Sequence, residues 1–170
     1  MPGKAFVRVA LLVMAAATSA AALEIKSATF DDHARSVRII YDNGPIQTVP
    51  TDPNTETDAP VVSEDRRSVA WSILRYVDAS YRIPADIEAY RDGKPVPNLQ
   101  CGGGVTLGFQ FIDRGRQIAL DCSFPHGVPD EHRVLIDMDT GKTLASLDVD
   151  NETGKLSPNA PAWARFPGDK

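Results

Sequence analysis

From Arg35 onward the chain is cut into short β-type runs by clusters of turn residues, and no amphipathic helical period develops between them. Arg35 to Tyr41 alternates, with Val37 and Ile39 on one face, and stops at Asp42-Asn43-Gly44-Pro45. Ser68 to Val77, Asp86 to Arg91, Val105 to Ile112, Arg116 to Cys122, Arg133 to Met138 and Thr143 to Val149 are each rich in β-branched, aromatic or leucine side chains. Asp92-Gly93, Asp113-Arg114-Gly115 and Asp139-Thr140-Gly141 separate them with residues that adopt tight-turn conformations. A chain of this kind buries apolar surface only by pairing strands, so the expected fold class is all-β and antiparallel. Residues 50 to 60 carry three prolines and no aliphatic side chain larger than alanine, which predicts a mobile loop.

The runs recur in register. Val62 to Trp71 aligns on Phe111 to Leu120, matching a turn arginine, a β-branched residue and an alanine. Ile87 to Lys94 aligns on Leu135 to Lys142, matching the Gly-Lys of a turn. Two copies of a unit of roughly 48 residues are expected, over about 62–100 and 111–149, each a turn, a strand, a connection, a strand and a hairpin, as in a propeller blade. Arg35-Ser36-Val37 echoes Arg67-Ser68-Val69 and marks a third, degenerate copy upstream. Closed propellers take about 4–8 blades, more than this chain has room for. The expected architecture is therefore an antiparallel meander of two or three blade-like repeats in an open sandwich or incomplete barrel. Its core should hold Trp71, Leu74, Ile87, Leu107, Phe109, Phe111, Ile118, Leu120, Leu135 and Leu144.

The N-terminus has the layout of a cleavable export signal: Lys4 and Arg8, an apolar run from Val9 to Ala17, and Ala20-Ala21-Ala22. Cleavage before Leu23 is expected, with cleavage one residue earlier as the alternative. The apolar run falls short of the ~20 residues a membrane span needs, and no lipid-accepting cysteine follows it. Residues 23–170 are then a single β-rich domain, periplasmic or secreted. Without the leader the chain has 16 basic and 23 acidic residues, a net charge of −7, which argues against nucleic acid or an anionic membrane as a partner. Cys101 and Cys122, in an oxidising compartment, are expected to form one disulfide across the hairpin that turns at Asp113-Arg114-Gly115. A redox role would call for a close Cys-x-x-Cys pair, which is lacking.

Arg67-x-Val69-Ala70-Trp71, Tyr81-Arg82-Ile83-Pro84, Tyr90-Arg91-Asp92-Gly93-Lys94, Cys101-Gly102-Gly103-Gly104, Phe111-x-x-x-Gly115-x-Gln117-Ile118-Ala119, Pro125-His126-Gly127, His132 and Thr140-Gly141-Lys142 together resemble a group of secreted bacterial hypothetical proteins. Their repeated strand units look like the propeller repeats of the periplasmic Tol-system propeller protein. The resemblance covers roughly residues 63–165 and consists of strand and turn signatures. It departs from the pattern near Leu107 to Phe109, where a tryptophan is missing. It implies a β-repeat fold and supplies no functional residue.

Candidate chemistry is sparse. His126 and His132, with Asp121, Asp130 and Glu131, form the densest group of proton carriers, but no zinc pattern surrounds them. Asp148, Asp150 and Glu152 are spaced like the start of a calcium loop, yet the glycine comes one place late and Asn159 stands where the bidentate glutamate belongs. Gly102-Gly103-Gly104 lacks the Gly-Lys-Ser/Thr ending of a phosphate cradle, and no Gly-x-Ser-x-Gly is present. Arg75, Tyr76, Tyr81, Arg82, Tyr90 and Arg91 gather tyrosine and arginine in an otherwise acidic chain, the composition of an interface. The expected function is an envelope binding module without catalysis or cofactor, acting as a monomer on an envelope protein or polymer. The rivals are a small metal-dependent or hydrolytic enzyme built on His126, His132 and Asp121, and an inhibitor of a secreted enzyme.

Overall fold

The computed structural model describes residues 23–76, 82–102, 104–123, 131–150, 153, 155–167 and 169, with Tyr76 in its backbone only. The export signal, Tyr81, His126 and Glu152 lie outside the described residues. Regular structure there consists of strands and two short 3-10 turns, with no α-helix. No helix among the described residues is long and apolar enough to cross a membrane.

The strands form three antiparallel sheets laid out in chain order. The first joins β1 (Ile25–Asp31), β2 (Ser36–Tyr41) and β3 (Ile46–Pro50). In the second, β4 (Glu56–Thr57) and β5 (Val61–Val62) follow one another along one side of β6 (Ser68–Tyr76), whose other side carries β7 (Arg82–Arg91) and then β8 (Lys94–Pro95). The third joins β9 (Val105–Ile112), β10 (Gln117–Ser123), β11 (His132–Asp137) and β12 (Thr143–Asp148).

The second sheet is the middle layer of an open sandwich. Val69, Trp71, Ile73 and Tyr90 face Ile25, Val37, Ile39, Tyr41 and Val49 of the first sheet. Ala70, Ile87 and Ala89, on the opposite face, pack against Ile118, Leu120, Val134 and Ile136 of the third. Successive side chains of a strand point to opposite faces, so a strand between two layers is buried at every position. Ser68, Val69, Ala70 and Trp71 accordingly have no exposed surface. Cys101 and Cys122 are buried in the second of these cores as a disulfide with Cα atoms 5.5 Å apart. Closing a loop of this length stabilises a fold by about 3 kcal/mol in the chain-entropy model.

Each sheet contains a hairpin of the same register. Phe30 pairs with Val37, Val62 with Val69 and Phe111 with Ile118, in every case seven residues apart. Each turn contains an arginine or glycine with positive φ: Arg35, Arg66, and Arg114 with Gly115. The next hairpins differ. Ser68 faces Arg91 whereas Gln117 faces Asp137, so the Gly-Lys match of the sequence alignment sits two residues out of structural register. Asp92-Gly93 makes a two-residue turn, while Asp137 closes a longer one by accepting hydrogen bonds from the Thr140 N–H (2.8 Å) and hydroxyl (2.6 Å).

Within residues 50–60, Pro50 ends β3, Glu56 and Thr57 pair with β6, and the Asp58 N–H donates to the Ser72 carbonyl at 3.1 Å. Prolines are tolerated there because the segment is an edge, with ladder bonds on one side only. Leu107 and Leu144 are exposed, not core: Leu107 lies at a bulge in the β9–β10 pairing and Leu144 on the edge strand β12. β7 also begins earlier than its turn signals imply and runs through Pro84, beside a bulge at Ala85.

Candidate binding groove at the edge of β7

The arginines and tyrosines singled out in the sequence do not form one surface. Arg91 is buried, and its guanidinium reaches the Ser68 hydroxyl (2.7 Å), the Gly115 carbonyl (2.9 Å), Asp65 (3.1 Å) and Asp139 (2.8 Å). It clamps the middle sheet to the third and is unavailable to a partner. Gly115 makes this closeness possible: it has φ +111, and a Cβ there would lie 2.3 Å from the Ser63 Cβ. Tyr90 points to the other face and stacks on Trp71, with ring centroids 5.7 Å apart. Arg75 pairs with Asp86 at 2.6 Å and Arg82 pairs with Glu56, both at the surface. Tyr81 and the Tyr76 side chain fall outside the described residues.

Of the catalytic and metal candidates, His126 and Glu152 lie outside the described residues, and the described ones do not converge. Cys122 faces His132 and Asp121 faces Arg133 across the β10–β11 pair, so the Asp121 and His132 side chains project from opposite faces. Asp121 forms an ion pair with Arg133, whose guanidinium also meets Asp169 at 3.2 Å and lies 4.9 Å from the Phe166 ring centroid. The chain end thereby covers the outer face of the third sheet, held by Gln110 donating to the carbonyls of Trp163 (3.0 Å) and Arg165 (2.8 Å). Asp150 accepts hydrogen bonds from the Thr153 N–H and hydroxyl, the same turn that Asp137 makes with Thr140, and Asp148 faces His132 in the β11–β12 pairing. Asp148 thus ends β12 and Asp150 is engaged by Thr153. No group of three metal-ligating side chains occurs among the described residues.

A groove of about 560 Å³ does occur, and it runs along β7. Five consecutive β7 residues, Asp86 to Tyr90, line it, although neighbours in a strand point to opposite faces. It therefore follows the edge of the strand, not a face. The turn holding Asp52 and Thr55 forms one wall, and Val96, Asn98, Leu99 and Gln100 form the other. Among the described residues, β8 leaves this edge open, because it pairs only with Tyr90 and Arg91 and is followed by one further bond, from the Val96 N–H to the Ala89 carbonyl. That bond sets the ladder's phase: Ala89 and, two residues back, Ile87 direct N–H and C=O away from β6 and toward the groove.

The groove is acidic. Among the described residues, Asp52, Asp86 and Glu88 line it with a single arginine, Arg75, which Asp86 already engages. Glu88 sits opposite Trp71 in the β6–β7 pairing, and its Oε2 is buried without a hydrogen-bond partner. Burial holds its pKa above the usual glutamate range, with the Trp71 indole opposing the rise and the Asp86 charge adding to it. Burial likewise raises the Tyr90 phenol, helped by Glu88. The sequence contained a signal for these acids: Asp86-x-Glu88-x-Tyr90 places two carboxylates and a tyrosine on the face of a strand whose other face is apolar. Comparison of the chain with known families, characterised proteins and solved structures returned no match.

Proposed function

We propose that the chain is an exported binding module of the bacterial cell envelope, periplasmic or secreted, built of propeller-type units and without catalysis of its own. It holds an envelope protein or polymer in the groove beside β7. The observation that carries the reading is the coincidence of that groove with a strand edge whose main-chain groups are left open by the described residues. Two further features support it: the leader-like N-terminus and a buried disulfide, which accords with an oxidising compartment. Arg75, Asp86 and Tyr90 contribute side chains to the groove, and Arg82 lies further along the same strand.

Photo-cross-linking from Gln100, on the groove wall, tests the proposal against the same probe at Arg38, exposed on the first sheet. Capture of one defined envelope component from position 100, identified by mass spectrometry and lost from position 38, is the expected result. Equal capture from both positions would sink the groove as the binding face. Recovery of the chain from the cytoplasm with its leader intact would remove the envelope assignment.

A further inference from the structure

The groove's shape and charge also point to what it binds, an inference that rests on the groove being the binding face. We propose that it takes an extended peptide segment that adds to the open edge of β7 through its main chain and sets a lysine or arginine side chain against Glu88. Three observations converge on this partner. Ile87 offers an N–H and a C=O toward the groove, as does the next residue of that phase, Ala89, whose carbonyl Val96 already uses; such paired groups recognise another extended backbone. The volume, about 560 Å³, lies within the range of pockets that enclose small ligands or a few residues. Among the described residues the lining carries three carboxylates against one arginine, and that arginine is held by Asp86, so the uncompensated charge is negative.

Alternation follows from strand geometry. A peptide paired to Ile87 directs every second side chain to the face on which Asp86, Glu88 and Tyr90 stand, and the intervening side chains toward Val96 and Leu99. The preferred segment therefore alternates a cationic residue with an apolar one. A sugar ligand fits less well, since the aromatic in the groove, Tyr90, has one ring face taken by Trp71.

The test uses a capped hexapeptide alternating lysine and valine, its glutamate–valine counterpart, and a lysine–valine version N-methylated at alternate amides. Binding to residues 23–170 is followed by calorimetry and by amide shifts. The lysine–valine peptide is expected to bind and to shift the Ile87 and Ala89 amides. N-methylation, replacement of lysine by glutamate, or the substitution Glu88→Gln should each weaken binding about tenfold or more, a change of ~1.4 kcal/mol. Glu88→Gln removes a buried charge without changing shape, so the variant should fold. Equal affinity for the N-methylated peptide, or for the glutamate peptide, would overturn strand addition or cation selection respectively. No binding by any of the three, with cross-linking from Gln100 intact, would reject the peptide class and leave the groove reading standing; failure of both would reject both.

Discussion

Between the first and middle sheets the packing is aromatic, with Trp71 stacked on Tyr90 beside Tyr41 and Phe30. Between the middle and third sheets it is aliphatic and cross-linked, with Ile87, Ile118, Leu120 and Ile136 around the disulfide. Each interface also has its own arginine at the hairpin end. Arg66 spans the first, donating from Nε to the Ile25 carbonyl at 2.9 Å and pairing with Asp42 and Glu24 while 42% of its side chain stays exposed. Arg91 spans the second with 4% exposed. Two residues of one type, both joining neighbouring sheets, thus work in different dielectric surroundings. An exposed pair is worth about 0–1 kcal/mol, whereas removing one member of a buried pair costs about 3–5.

The contrast can be broken from either side. Trp71→Ala should remove the aromatic interface at a cost of about 3–5 kcal/mol, and hydrogen exchange should quicken in β1–β3 before β9–β12. Arg91→Ala should cost a similar ~3–5 kcal/mol by leaving Asp65 without its cation, with exchange quickening first around Gly115 and the 137–142 turn. If both variants loosen all three sheets alike, the two interfaces form one cooperative core. Arg66→Ala should cost no more than about 1 kcal/mol, and added salt should shrink that difference further in chemical denaturation.

A slighter effect, of opposite sign, probes the same contrast through pH. Burial alone would raise the Asp65 carboxyl, but hydrogen bonds from the Ser63 hydroxyl, the Arg67 N–H and Arg91 outweigh it and lower the pKa; hydrogen bonds from Thr140 lower Asp137. The unfolded chain binds protons at these groups before the folded one does. Their stabilisation is present above the ordinary aspartate range and is lost as pH falls through the depressed folded values. Glu88 runs the other way: its raised pKa favours the folded chain below the ordinary glutamate range, and that gain is lost as pH rises through the folded value. Glu88→Gln should therefore raise the melting temperature slightly at neutral pH and leave it unchanged in acid. A lower melting temperature at neutral pH would mean that the charge is better paired than burial implies.

Much of this architecture could be read from the residues. The turns at Asp92-Gly93 and Asp113-Arg114-Gly115, the cysteine pair and the strand at Val105–Ile112 follow from local chemistry: glycine and aspartate reach turn conformations, and β-branched side chains suit a pleated ladder. β1 and β3 were not legible, because Lys26-Ser27-Ala28-Thr29 and Gln47-Thr48 carry little apolar signal and depend on pairing with β2 for their conformation.

The acidic face of β7 could be read, but the groove could not. Asp52 and Glu88 are far apart in the chain and line one groove only because β8 ends after two residues and Glu56 and Thr57 pair along β6. Arg91 marks the same divide. Composition placed it among surface arginines and tyrosines, since a guanidinium usually seeks water. Its burial was decided by the hydroxyl, carbonyl and carboxylates that three separate turns bring around it, and those partners exist only after the second and third sheets have stacked. Short-range sterics, written into the residues themselves, set where strands begin and turn. Which polar side chains become structural, and which remain free to meet a partner, was settled by the stacking of the sheets, because burial and pairing depend on residues distant in the chain.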